Sequence, residues 1–148
     1  MTEKKRILFL CTGNAARSQM AEGLARAFHG DVVDVVSAGS RPAGWVHPLA
    51  INALAEIGID IRDAESKSAE QFLDQLFDVV VTVCDSAAQD CPLWPGATRI
   101  EHWPIEDPTW MSGNGAESFA ATRDELKVRI EELVNEMMKD EGNRSLSS

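Results

Sequence analysis

The chain has 148 residues, of which 44% are hydrophobic and 26% charged, a length and composition that suit one soluble domain with a core of its own. No apolar stretch approaches the ~20 residues that span a bilayer, and the run at 7–10 is too short for the core of a signal peptide, so a cytoplasmic location is expected. A formal charge of −10 argues against a nucleic-acid binder, which needs a basic face, and it disfavours an anionic ligand at long range.

Arg6 to Leu10 reads as a buried strand, and Gln19 to Phe28 as an amphipathic helix. Between them stands Cys11-Thr12-Gly13-Asn14-Ala15-Ala16-Arg17-Ser18. A thiol therefore sits at the carboxyl end of a strand, in a loop that feeds a helix N-terminus. Backbone N–H groups are unpaired there and carry partial positive charge, so the loop can wrap a tetrahedral oxyanion. The same field favours thiolate over thiol at Cys11. Arg17 can fold back as a planar fork onto two oxyanion oxygens. Gly13 suits a backbone that needs positive φ or close ligand approach. Asn14 tolerates a left-handed conformation and can tie the loop together with its amide. Ser18 is either a helix cap or a hydroxyl aimed at the Cys11 sulfur, or both. The chemistry implied is thiolate attack on a bound oxyanion.

Asp31 to Ser40 is the second strand, ending at Gly39, and Arg41 to Pro48 is a loop. A helix is expected from Pro48 to Ile57, stopped by Gly58, and a short one from Ser68 to Leu76 with a serine cap. Phe77 to Val83 is β-branched and almost wholly apolar, the pattern of a strand buried on both faces of a parallel sheet; it ends at Cys84. Thr98 to His102 is a fourth strand. The stretch from Trp103 to Gly115 is rich in Pro, Gly and Trp and too long for a mere connector, which makes it a candidate functional loop. Glu117 to Met138 is the long terminal helix. The catalytic domain is expected over 1–139, with 140–148 as a polar, frayed tail.

Alternating strands and helices predict an α/β fold, a doubly wound four-stranded parallel sheet flanked by helices. Ligands in such sheets bind beyond the strand carboxyl ends near the switch point. Cys11, Gly39, Cys84 and the loop after His102 all follow strand ends and should share one rim. The three cysteines cannot all pair, and a cytosolic chain disfavours a permanent disulfide, so reactive or redox thiols are the leading reading. His29, His47 and His102 are scattered, without zinc spacing, and are read as structural.

Cys-x5-Arg-Ser directly after the first strand, with Asp107-Pro108 late in the chain, resembles the low-molecular-weight protein tyrosine phosphatase fold. Within that fold three stretches are similar to thioredoxin-coupled arsenate reductases: Cys11 to Asn14 with Arg17 to Gly23, Val81 to Cys84 with Cys91-Pro92, and Glu101-His102-Trp103 with Asp107-Pro108. The likeness covers roughly residues 5 to 138. It implies that Cys11 attacks the arsenic of bound arsenate. Arg17 and the loop Thr12, Gly13, Asn14, Ala15, Ala16 and Ser18 would hold the oxygens, and Asp107 would protonate the leaving one. It further implies that Cys84 attacks the Cys11 sulfur, that Cys91 then attacks Cys84, and that thioredoxin or another thiol reductant reopens the Cys84–Cys91 disulfide. Two thiols becoming one disulfide supply the two electrons that take arsenic from +5 to +3.

Were residues 85–91 helical, about 10 Å would separate the Cα atoms of Cys84 and Cys91, beyond the roughly 4.4–6.8 Å that a disulfide spans. That bridge then predicts a segment that unwinds on oxidation. No cofactor is required on this reading. Some members bind potassium at residues matching Asn14, Glu22 and Ser37. Here Lys67 stands in the stretch where they carry an acidic residue, and its ammonium can replace the ion. The alternative is a phosphatase acting on phosphotyrosine, with Cys84 and Cys91 protecting Cys11 from overoxidation. The absence of any tyrosine, and so of the tyrosines phosphatase members carry after the Asp-Pro, weakens it. A third reading, a non-catalytic oxyanion-binding or redox-sensing protein, leaves the combination of thiols, Arg17 and Asp107 unexplained.

Overall fold

The computed structural model describes residues 4–83, 97–105, 108 and 115–147, without the side chains of residues 98 and 140–147. In chain order the elements are β1 (Lys5–Cys11), α1 (Arg17–His29), β2 (Val33–Gly39), α2 (Pro48–Ala55), a one-turn 3-10 helix (Ala69–Phe72), β3 (Phe77–Thr82), β4 (Ala97–His102) and α3 (Gly115–Ser147). The four strands form one sheet in the order β2-β1-β3-β4, every neighbour parallel. From β1 the chain moves outward to β2, whereas from β3 it moves the other way to β4. The switch point therefore lies between β1 and β3, and Cys11 ends the strand beside it.

The central strands are hydrophobic on both faces because both faces are covered. Ile7, Phe9, Val79 and Val81 join α1, α2 and α3 in the larger core. Leu8, Leu10, Val80 and Ala38 turn to the opposite face, where Ala69 and Phe72 of the 3-10 turn pack with Phe77. Phe9 is fully buried and meets Trp103 with ring centroids 5.9 Å apart. On α3 the apolar spacing works as expected: Phe119, Leu126, Ile130, Leu133, Val134 and Met137 are all buried. Gly23 lets α1 lie close against its neighbours, since a Cβ there would come within 2.6 Å of Leu54 Cδ1 and 2.9 Å of Ile61 Cγ2.

Three boundaries differ from expectation. The segment at 68–76 forms only a 3-10 turn, although Ser68 does cap it, its Oγ accepting from Glu70 N at 3.2 Å. Helix α2 ends at Ala55, before Ile57. Helix α3 runs past Met138 to Ser147, through the residues expected to fray. No proline interrupts that stretch, and the lone Gly142 costs a helix only about 1 kcal/mol. Among the described residues no helix is long and apolar enough to cross a membrane.

Candidate active site

The loop after β1 is shaped by what its carbonyls are given to bond. Ser40 N donates to Cys11 O (3.3 Å), Arg41 N to Thr12 O (2.9 Å), Ala43 N to Gly13 O (2.9 Å) and His47 N to Ala15 O (2.8 Å). Gln19 Nε2 takes Asn14 O at 3.1 Å, and Met20 N takes Ala16 O at 2.9 Å. The carbonyls of residues 11 to 16 are thus held outward. In a trans peptide the N–H points opposite the C=O, and no cis bond is present among the described residues. The amides of residues 12 to 17 are consequently directed to the inside of the turn. One of them, Asn14 N, reaches Cys11 Sγ at 3.2 Å. Helix α1 begins at Arg17 with no side-chain cap, so the positive end of its dipole adds to the same space.

Asn14 is the hinge of the loop. Its φ is 48°, the left-handed region that asparagine tolerates, and it is fully buried. The side chain offsets that strain by using both ends of its amide. Nδ2 donates to Ser18 Oγ (2.8 Å) and Ser37 Oγ (2.9 Å). Oδ1 accepts from Gln19 Nε2 (2.9 Å) and Lys67 N (2.7 Å). Ser18 Oγ accepts from Asn14 and lies 2.8 Å from Cys11 Sγ; a thiolate has no proton of its own, so against a Cys11 thiolate the Ser18 hydroxyl is the donor. The sulfur is therefore faced by two donors, a hydroxyl and a main-chain amide, in a nearly dry setting. Both groups can donate a hydrogen bond to a sulfur that carries charge. Of the two expected roles for Ser18, the structure keeps the one toward sulfur.

Gly13 does not have positive φ, and a Cβ built on it would find only ordinary contacts, the nearest at 3.9 Å. The steric demand falls instead on Gly39, at the end of β2 opposite Cys11. A Cβ there would lie 2.6 Å from Thr12 O and 2.9 Å from Asn14 N. The sequence marks Gly39 as a strand end on the rim shared with Cys11, but not as a point of close backbone contact. Nor does it mark Gln19 and Ser66 as loop supports; Ser66 Oγ donates to Gly13 O at 3.1 Å. Ser66 gives no local signal, because its partner lies 53 residues away; Gln19 stands within five residues of Asn14, but the bond depends on how the loop turns.

Arg17, half-buried, donates from Nη1 to Ile105 O at 2.9 Å. That bond ties the loop to the segment leading toward Asp107. A planar guanidinium fork suits the expected role of clamping an oxyanion. Cys84, Cys91 and Asp107 lie outside the described residues, as do Trp94 and Trp110.

The residues matching a potassium site do come together, but they are spoken for. Ser37 Oγ donates to Glu22 Oε1 at 2.7 Å, Lys67 Nζ approaches the same oxygen at 3.5 Å, and Arg26 Nη1 pairs with Glu22 Oε2 at 3.2 Å. Lys67 Nζ also donates to Glu65 O at 3.0 Å. With an ammonium already against Glu22, and with Asn14 Oδ1 accepting twice, this set does not fit a further cation.

A thiol at the switch point of a parallel sheet, inside a turn of inward amides and followed by an arginine, defines an α/β protein whose loop has the donors that a tetrahedral oxyanion needs. Residues 6–143 match the family of low molecular weight phosphotyrosine protein phosphatases, and the chain belongs to this family. Among its relatives an arsenate reductase of Halalkalibacterium halodurans is 46% identical over 130 residues, covering 86% of this chain and 93% of that one. The solved structure of an arsenate reductase in the phosphate binding state superposes with a TM-score of 0.78 at 36% identity, covering 89% of this chain and 98% of that chain. A thioredoxin-dependent arsenate reductase of Corynebacterium glutamicum is similar at a TM-score of 0.73 and 32% identity, over 94% of this chain and 64% of that one.

Proposed function

We propose that this chain reduces arsenate to arsenite in the cytoplasm, with thioredoxin as the reductant. Cys11 thiolate attacks arsenic, and Asp107 protonates the oxygen that leaves as water. Arg17 and the inward amides of the loop hold the remaining oxygens. Cys84 thiolate then attacks the Cys11 sulfur. A sulfur–sulfur bond forms, the electron pair of the sulfur–arsenic bond stays on arsenic, and arsenite departs. Cys91 attacks Cys84, freeing Cys11, and the Cys84–Cys91 disulfide is reopened by the dithiol partner. No cofactor enters these steps, and Lys67 stands where related proteins place potassium.

The observation that carries the reading is the pair of donors on Cys11 Sγ within a loop whose carbonyls are all turned outward. That geometry alone serves phosphate ester hydrolysis as well. The presence of Cys84 and Cys91 in the sequence, and the relatives named arsenate reductase, favour reduction. Phosphotyrosine hydrolysis is the second reading, supported by the family match itself, and a weak phosphatase activity is compatible with the first.

The test is arsenate-dependent NADPH consumption with thioredoxin and thioredoxin reductase, for wild type and for Cys11→Ser, Cys84→Ser and Cys91→Ser. A reductase loses turnover in all three variants. A phosphatase loses aryl phosphate hydrolysis only with Cys11→Ser and consumes no NADPH on arsenate. Normal turnover by Cys91→Ser would overturn the assignment of the last disulfide.

A further inference from the structure

We infer that His47 is a positioning residue for the oxyanion loop, acting on the Ala16 amide through the peptide bond that joins it to Ala15. The inference rests on the reading that this loop holds the oxyanion. The segment 40–47 runs alongside the loop and bonds its carbonyls, but not evenly. Ser40, Arg41 and Ala43 hold the first three. The chain then swings out through Gly44, whose φ is +88°, and half-exposed Trp45 before it returns at His47. On this strap, only the His47 N–H holds the carbonyl of Ala15, at 2.8 Å. The N–H of Ala16 belongs to the same planar peptide unit and points the opposite way, to the inside of the turn. Wherever His47 fixes that carbonyl, it also aims that donor.

His47 is itself fixed at several points. Its Nδ1 accepts from Leu49 N at 3.1 Å, so the imidazole is the N-cap of α2 and carries its proton on Nε2. Its carbonyl takes Ala50 N at 3.0 Å and Ile51 N at 3.2 Å. The ring lies between Trp45 and the buried Phe119 of α3, with centroids 5.4 Å and 4.7 Å away. A serine or asparagine would cap a helix as well. The imidazole adds a stacked contact that ties the strap to α3, while its backbone holds the loop. Cap, stack and loop rung thus meet in one residue.

Two substitutions separate these roles. His47→Phe keeps a ring between Trp45 and Phe119 but has no acceptor for Leu49 N. His47→Asn keeps an acceptor and gives up the ring. The probe is inorganic phosphate, titrated calorimetrically, with the KM and kcat for arsenate measured alongside. If the cap positions the loop, His47→Phe weakens phosphate binding and raises KM about tenfold, the effect of a lost cap. It should leave kcat at saturating arsenate within about twofold, and His47→Asn should stay close to wild type in all three values. A purely structural role would reduce the folded fraction, and with it kcat, at unchanged KM. Phosphate affinity in His47→Phe equal to wild type, or equal weakening in both variants, overturns the inference. Wild-type protein that binds no phosphate overturns the oxyanion reading of the loop together with it.

Discussion

At Ser18 the direction of one hydroxyl proton governs how the sulfur is treated. Ser18 Oγ accepts from Asn14, which is itself oriented by Gln19 and Lys67, and the Ser18 hydroxyl donates when Cys11 is a thiolate. A hydrogen bond to a charged group contributes about 1.5–3 kcal/mol. Ser18→Ala should therefore slow alkylation of Cys11 by iodoacetamide at neutral pH by roughly ten- to a hundredfold, with kcat/KM for arsenate falling in step. Alkylation at the wild-type rate would mean that the Asn14 amide alone suffices. Lys67 carries the second residue-level prediction. Its ammonium lies against the buried Glu22 carboxylate, so wild-type turnover should be the same in potassium chloride and choline chloride. Lys67→Gln leaves that place open, and potassium should then raise kcat/KM by about fivefold, corresponding to the ~1 kcal/mol of a modest ion pair. Potassium activation of the wild type would contradict the placement of Lys67.

Elements set these side chains by where they end. Strand β2 stops at Gly39 directly beside Cys11, and its lack of a side chain is what lets the loop turn. In Gly39→Ala the new methyl meets backbone atoms of Thr12 and Asn14, which have no rotamer to change. Denaturant unfolding should report a loss of about 1–3 kcal/mol, and phosphate binding should weaken further than that loss of folded protein explains. An unperturbed variant would show that the loop can move away freely. The contrast between Gly13 and Gly39 marks what a sequence can and cannot tell. Motif logic gives Gly13 a positive φ, which it lacks, or a close ligand approach; the tight backbone contact at Gly39, a strand neighbour distant in sequence, is visible only once β1 and β2 pair. Asn14 was legible because its left-handed backbone and bonding amide are properties of asparagine itself. The extent of α3 was not, since a polar composition looks the same in a solvated helix and in a frayed tail. The 3-10 turn at 69–72 was half legible: its serine cap is local, whereas its length is set by packing on the sheet.

For the molecule as a whole, the charge of −10 and the chemistry of the site pull in opposite directions. On the proposed function, a short-range set of amides and Arg17 captures an anion that the net charge disfavours at long range. Screening weakens the long-range repulsion more than the contacts inside the loop, as the Debye length falls to ≈ 8 Å at physiological ionic strength. Raising choline chloride from low to physiological concentration should therefore increase kcat/KM for arsenate, by less than about threefold, at constant kcat. A fall would indicate that attraction by Arg17 extends well beyond the loop. The strand order was legible at this scale only in part. Unalternating Phe77 to Val83 announced a central strand, but the position of β4 at the edge follows from pairing alone.

On the proposed function Cys11 is a nucleophile toward an oxyanion, and the claim that matters most is that its sulfur then passes electrons on. One equivalent of arsenate added to fully reduced protein, without any external reductant, addresses this directly when arsenite is counted and disulfides are mapped by mass spectrometry. The account predicts one arsenite per chain, a Cys84–Cys91 disulfide in wild type and a trapped Cys11–Cys84 disulfide in Cys91→Ser. Reduced cysteines and no arsenite, with aryl phosphate still hydrolysed, would contradict it.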